Sequence, residues 1–200
     1  MPQPTPTTMR SQAKANRRAA LLTAAAGLFA ERGFNGVSIE ELGTASGVTG
    51  PAVYRHFSGK QAVLAALLVG VSRTLLEGGQ AVVDAAPDAA AALEGLVAFH
   101  VRFALSNRDV IRVQDRDLDS LEAPDRHTVR TLQRRYVELW VGVLERLGGS
   151  TAGEDAALLR IRAQAVFGLI NSTPHSVRGG VDEESVRALL ERIALAALTA

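Results

Sequence analysis

Two helix starts lie within a dozen residues of each other. Ser38-Ile39-Glu40-Glu41 has the pattern of a capping box, in which the serine hydroxyl accepts from the backbone N–H three residues on while the glutamate reaches back. Gly47 closes the helix this box begins, after about Ser46. Thr49 can cap a third helix, with Pro51 tolerated in its first turn because those amides lack intrahelical acceptors, and that helix ends near Phe57. Helices this short do not persist alone. The stretch therefore needs longer neighbours to cover Leu42, Val48, Val53 and Phe57, the internal apolar positions of the pair.

The flanks supply them. From about Lys14 to Arg32 the chain is rich in Ala and Leu, with Leu21, Leu28 and Phe29 on one helical face and Gly33 as the residue after the helix. Ser58-Gly59-Lys60-Gln61 reads as a second capping box opening a long helix through Val63, Leu64, Leu67, Leu68, Val71 and Leu75 toward Pro87. Periodicity and punctuation predict further helices over about 88–105, a short piece at 109–114, then 124–147, 154–170 and 182–198, with 115–119 as a loop. No alternating segment argues for a strand. The expected fold is all-α with about nine helices: a disordered tail at 1–12 (Pro2, Pro4 and Pro6 interleaved with Thr), a three-helix helix-turn-helix domain at 13–60, and a larger helical domain at 61–200.

Composition removes other classes. The 200 residues hold no cysteine, so disulfides, thiolate nucleophiles and Cys-held metals are excluded, and the four histidines show no ligand spacing. There is no GxSxG, GxGxxG or Walker A pattern, no motif that asks for a cofactor, no uncharged apolar run of membrane length and no apolar signal core, so the expectation is a soluble, cytoplasmic non-enzyme. Net charge is only +1, yet residues 1–64 carry seven basic side chains against three acidic ones, leaving the rest at −3. A basic end on a mildly acidic body suits a polyanion partner.

The pattern Leu28-Phe29, Gly33-Phe34, Ser38-Ile39-x-x-Leu42-x-x-x-Ser46-Gly47-Val48-Thr49 and Val53-Tyr54-Arg55-His56-Phe57-Ser58-x-Lys60 closely resembles the N-terminal domain of TetR-family transcriptional regulators, over about residues 17–65. The resemblance implies a sequence-specific regulator, a repressor in its usual form, that binds a double-stranded DNA operator as a homodimer and leaves it when a small-molecule effector binds. It also implies that Tyr54, His56 and Lys60 contact phosphates, with Ser38 beside them, and that Thr49, Gly50, Pro51, Ala52 and Arg55 face the groove. Gly50-Pro51-Ala52 departs from relatives that place a basic residue, Gly and a hydroxyl residue there, which leaves direct base readout thin. The basic run Arg10, Lys14, Arg17 and Arg18, on a tail reaching an adjacent minor groove, is expected to add discrimination through groove shape.

Residues 154–170 and 182–198 are apolar almost all round and are the expected dimer interface; filling the monomer core is the plainer alternative. His100 sits on the stripe Leu93, Leu96, Val97, Val101, Ala104, as a core histidine or a ligand contact. Tyr136 and Trp140, four apart, make an aromatic wall that suits an apolar effector, and Phe103, Gln114 and Asn171 complete the candidate ligand set. Arg126, Arg130 and Arg134 form a row that is either a solvated face or a cradle for an anionic ligand such as an acyl-CoA. The stretches 113–118 and 168–175 resemble actinobacterial TetR regulators of acyl-CoA or branched-chain acid catabolism. The rival classes are a small helical enzyme and a helical protein-interaction module without DNA binding.

Overall fold

The computed structural model describes residues 6–148, 155–173 and 181–200. Within them lie nine α-helices and no strand: α1 (Pro6–Arg32), α2 (Ile39–Ala45), α3 (Gly50–Val53), α4 (Lys60–Ala85), α5 (Ala89–Ser106), α6 (Arg108–Asp117), α7 (Ala123–Leu147), α8 (Ala156–Asn171) and α9 (Glu183–Thr199). Three expectations need correction. The segment read as a tail is helical from Pro6, because a proline is compatible with the first turn of a helix and the following residues propagate it. The stretch 115–119 is not a loop: α6 runs through Asp117, burying Val110, Val113 and Asp117 at helical spacing, and a 3-10 turn follows at Leu118–Ser120. Ser58 does not cap α4; the N-cap is Gly59, without a side-chain hydrogen bond, and Gln61 Nε2 instead donates to the Ser120 carbonyl at 2.8 Å. Position 175 and its neighbours at 174 and 176–180 lie outside the described residues.

Two apolar clusters form, and they interleave along the chain. The first joins Leu21, Ala25 and Phe29 of α1 to Leu42, Val53, Phe57 and the start of α4 (Val63, Leu64, Leu68), and is completed by Val110, Val113, Leu121 and Val129. The second joins Leu96 and Val101 of α5 to Trp140 and Val143 of α7, Val166 and Ile170 of α8, and Ala194 and Leu198 of α9. Each fully buried large side chain in them contributes about 1.5 to 3 kcal/mol of transfer free energy. By length and composition α4 and α5 could each cross a membrane, with mean hydropathy 1.5 and 1.3. Their charged residues, among them Arg73, Glu77 and Asp84 on α4, lie off the buried face, and α4 runs between α5 and α7 as a core helix does.

α4 seats itself by giving up side chains. At Gly79 a Cβ would lie 2.6 Å from the Tyr136 ring and 3.1 Å from Leu139, and the buried Tyr136 and Leu96 leave no room to yield. At Gly70, exposed on the same helix, a Cβ meets nothing within 4 Å. Gly79→Ala is expected to lower stability by about 1 to 2 kcal/mol, since overpacking outweighs the gain in helix propensity of about 1 kcal/mol. Gly70→Ala should raise it by roughly 0.5 to 1 kcal/mol. Urea unfolding of both variants checks the pair; equal midpoints would show that α4 is not held this closely.

Candidate nucleic-acid interface and buried ring cluster

The capping box forms as the spacing requires. Glu41 N–H donates to Ser38 Oγ at 3.2 Å and Ser38 N–H donates to Glu41 Oε2 at 2.7 Å. Arg32 adds a third bond, Nη1 to Glu41 Oε1 at 2.6 Å, tying the end of α1 to the start of α2. The Ser38 N–H first, and Arg32 next, hold the Glu41 carboxyl down to about 2. The Ser38 hydroxyl accepts in this box and keeps its own proton to donate elsewhere.

The turn into α3 depends on two glycines. Gly47 takes φ +72°, where L side chains are strained. Gly43, which the sequence reading passed over, is where α2 meets the turn: a Cβ there would lie 2.9 Å from both the Val48 carbonyl oxygen and the Gly50 nitrogen. α3 is a single turn, continued by 3-10-type bonds such as His56 N–H to the Val53 carbonyl at 2.8 Å. Thr49 is its N-cap, yet its hydroxyl makes no capping bond and the residue is exposed. Pro51, Tyr54 (56% exposed) and Arg55 are exposed as well, Gly50, Ala52 and His56 are half-buried, and Val53 and Phe57 point into the core. Nδ1 of His56 is buried without a partner among the described residues. α3 thus turns one apolar face inward and the candidate groove-facing residues outward.

Lys60 does something the sequence did not suggest. Its Nζ donates to the carbonyls of Phe34 and Val37, both at 2.8 Å, and lies 4.4 Å from the centroid of the Phe34 ring. Two of its three N–H donors therefore hold the α1–α2 connection against the start of α4, and the third has no bond among the described residues that would keep it from the expected phosphate. Lys14, Arg17 and Arg18 are carried by α1, and the Arg18 guanidinium sits 4.9 Å from the centroid of the Phe57 ring. The flexible arm imagined for the basic run, Arg10 included, is replaced by helix.

In the second cluster four rings converge. His100, Tyr136 and Phe167 lie near-parallel, with His100–Phe167 centroids 4.8 Å apart, while Trp140 stands edge-on to all three. Phe103 flanks His100 at 6.2 Å. Nδ1 of His100 and the Tyr136 hydroxyl are hydrogen-bonded at 3.2 Å. Burial pushes the His100 imidazole down to about 4, only partly offset by Asn171, and pushes the Tyr136 phenol up. His100 Nε2, Trp140 Nε1, Asn171 Oδ1 and Thr173 Oγ1 are buried without hydrogen-bond geometry to any described partner. Such groups ask for a ligand or water. The structure thus brings His100, Phe103, Tyr136, Trp140 and Asn171 to one region but leaves Gln114 half-exposed on α6, the helix packed on α1. Phe167 was missed as a site residue, although it sits four residues before Asn171 on α8 and so shares its face.

Residues 21–67 match the profile described as "Bacterial regulatory proteins, tetR family", and residues 86–198 match "Tetracyclin repressor-like, C-terminal domain". The chain belongs to the TetR family. Among curated relatives, the HTH-type transcriptional repressor KstR2 of Rhodococcus jostii is 31% identical over 133 residues, 66% of this chain and 65% of the relative. KstR2 of Mycolicibacterium smegmatis is 28% identical over 134 residues, 66% and 64% respectively. The chain thus matches just under two thirds of these TetR relatives' length. A TetR-family regulator from Bordetella parapertussis superposes with a TM-score of 0.78 at 23% identity, covering 89% of this chain and 93% of that one. The ketosteroid transcriptional regulator KstR2 of Mycobacterium tuberculosis gives 0.77 at 20% identity, covering 92% and 93%. These last two show the TetR fold.

Lys60→Ala is expected to lower stability by about 1 to 2 kcal/mol, discounted for its partial exposure, since two charge-assisted bonds are lost. An unchanged urea midpoint would show that the two carbonyl bonds do not hold this connection. His100 gives a pH signature. Its folded pKa lies below the ordinary 6.5, so the unfolded chain binds more protons and stability falls as pH drops from about 6.5 to about 4. His100→Phe should flatten that limb of the stability profile, and an unaltered slope would show that His100 is not held neutral.

Proposed function

We propose that this chain is a DNA-binding transcriptional repressor that acts as a homodimer and is released from its operator by an apolar, lipid-like effector. The observation that carries the DNA reading is the sorting of α3. Thr49, Pro51, Tyr54 and Arg55 are presented to solvent on a helix whose Val53, with Phe57 just beyond it, is fixed in the core. That is what a helix entering the major groove needs. Tyr54 then contacts phosphate and Thr49 reads bases, with Ser38 and His56 at the backbone and Gly50, Pro51 and Ala52 offering only methyl and backbone contacts. Repression follows the relatives, which are named as repressors. A DNA-binding role of this kind places the protein in the cytoplasm.

The dimer reading rests on exposed apolar side chains. Leu158 and Ile161 of α8 are 54% and 60% exposed, and Leu189 and Ile193 of α9 are 45% and 40% exposed, although both helices also contribute to the core. Two helices with a second apolar face suit an isologous interface. The effector reading rests on the ring cluster, whose His100, Trp140 and Asn171 polar atoms fall short of full hydrogen-bond geometry among the described residues, and neighbours named as a ketosteroid transcriptional regulator and a fatty acid degradation regulator suggest an apolar class. Arg126 and Arg130 are bonded to Asp119, through its carbonyl at 3.2 Å and its carboxylate at 3.3 Å, which favours the solvated-face reading of the arginine row over a cradle for an acyl-CoA.

With an operator selected from a random duplex pool, Tyr54→Phe should weaken binding to all sequences alike, whereas Thr49→Ala should change sequence preference; fluorescence anisotropy separates the two. No binding of wild type to any duplex at low salt would end the DNA reading. Leu189→Glu with Ile193→Glu should sediment as a monomer at micromolar concentration where wild type is a dimer. A monomeric wild type would overturn the interface. Trp140 is the single tryptophan of the chain, so an apolar effector should change its fluorescence directly.

A further inference from the structure

The N-terminal unit meets the body along α6, and the two ends of that contact differ. At the start of α6 a cleft of about 600 Å³ separates Leu22, Thr23 and Ala26 of α1 from Gly70 and Thr74 of α4 and from Asn107 to Val110. At the far end of α6 the Arg116 guanidinium donates through Nη2 to the Phe29 carbonyl, which also accepts from the Gly33 N–H at 2.8 Å. The guanidinium lies over Gly33, 3.6 Å from where a Cβ would stand, and pairs with the buried carboxylate of Asp117 at 3.2 Å. A cation from α6 thus caps the C-terminal, negative end of α1.

We propose that Arg116 is the pivot that fixes the angle of the N-terminal unit on the body, and with it the spacing between operator half-sites that the protein accepts. The inference rests on the dimeric DNA-binding reading. Phe29 shares its cluster with Val53 of α3, so holding the Phe29 end of α1 holds the candidate recognition helix. α4 joins the two parts covalently, and Val110 and Val113 pack them together. Those apolar contacts are not directional, whereas a guanidinium bonded to one carbonyl is. Half-sites lie about one helical turn apart, so a small rotation of each unit moves the two recognition helices by roughly a base-pair step.

The test is a spacer series built on the operator that wild type selects, with the half-sites moved one and two base pairs closer or apart. Wild type should lose about tenfold in affinity per step, the size of a lost base contact, while Arg116→Ala should vary by no more than about threefold across the series. Arg116→Lys, which keeps the charge but not the fork, should fall between them. If the alanine variant does not fold, Arg116→Gln takes its place. A variant profile as steep as that of wild type overturns the proposal, whatever its overall affinity. A second readout does not need DNA. The chain has no cysteine, so Ala45→Cys on α2 and Arg102→Cys on α5, both exposed, give a spin-label pair within one protomer when labelled chain is diluted with unlabelled. The distance distribution should be narrow in the wild-type background and broaden on Arg116→Ala or Arg116→Gln; an unchanged distribution overturns the pivot. Should wild type bind no duplex, the DNA reading fails while this distance measurement still decides the pivot.

Discussion

α4 belongs to both apolar clusters, and the rest of the molecule is arranged around that fact. Its first turns (Val63, Leu64, Leu68) lie under α1 and α3, and its later residues (Leu75, Leu76, Val82, Val83) pack against the α5–α7 core. A rigid rod shared by two cores transmits displacement of one to the other without needing a chain of individual contacts. Its ends are fixed differently. Lys60 bonds two carbonyls at the N-terminal end, and Gly79 lets the Tyr136 ring come against the backbone toward the other. Tyr136 in turn is bonded to His100, so the ring cluster touches α4 directly.

What could be read from the sequence was governed by local rules. The Ser38 box, the Gly47 stop and the end of α7 at Gly148 each depend on residues a few positions apart, and each is found where spacing places it. Long-range effects were not legible. Lys60 follows a serine and a glycine, which invites a capping reading, but its carbonyl partners lie 23 and 26 positions earlier. The alternating charges of 115–119 look like a loop until Arg116 is seen to reach the Phe29 carbonyl of α1, 87 positions away. Of the candidate ligand set, the members on α5, α7 and α8 meet because those helices pack together. Gln114 sits on a helix whose partner is α1, which no local pattern reveals.

The ring cluster carries a thermodynamic cost that packing alone would not impose. Among the described residues His100 Nε2, Trp140 Nε1 and Asn171 Oδ1 are buried short of full hydrogen-bond geometry, although Asn171 faces His100 and Trp140 faces Tyr136, and bonding left unmade in a buried group costs about 1 to 3 kcal/mol. Apolar residues of the same shape would make a more stable body. A molecule that supplied the missing donors and acceptors would stabilise the folded state by mass action and would bias α4 through Tyr136.

The interleaving of the two clusters bears on how such a protein can be divided. Val110, Val113, Leu121 and Val129 complete the core beneath α1 and α3, although they lie some fifty residues or more beyond the end of the helix-turn-helix. A fragment cut after Lys60 would expose the face of α1, with Leu21 and Phe29, that packs on α6 and α4. The N-terminal unit is therefore not a cassette. Grafting it onto the body of a relative moves a surface without its floor, and a recombinant that exchanges specificities has to carry the matching α6 with it.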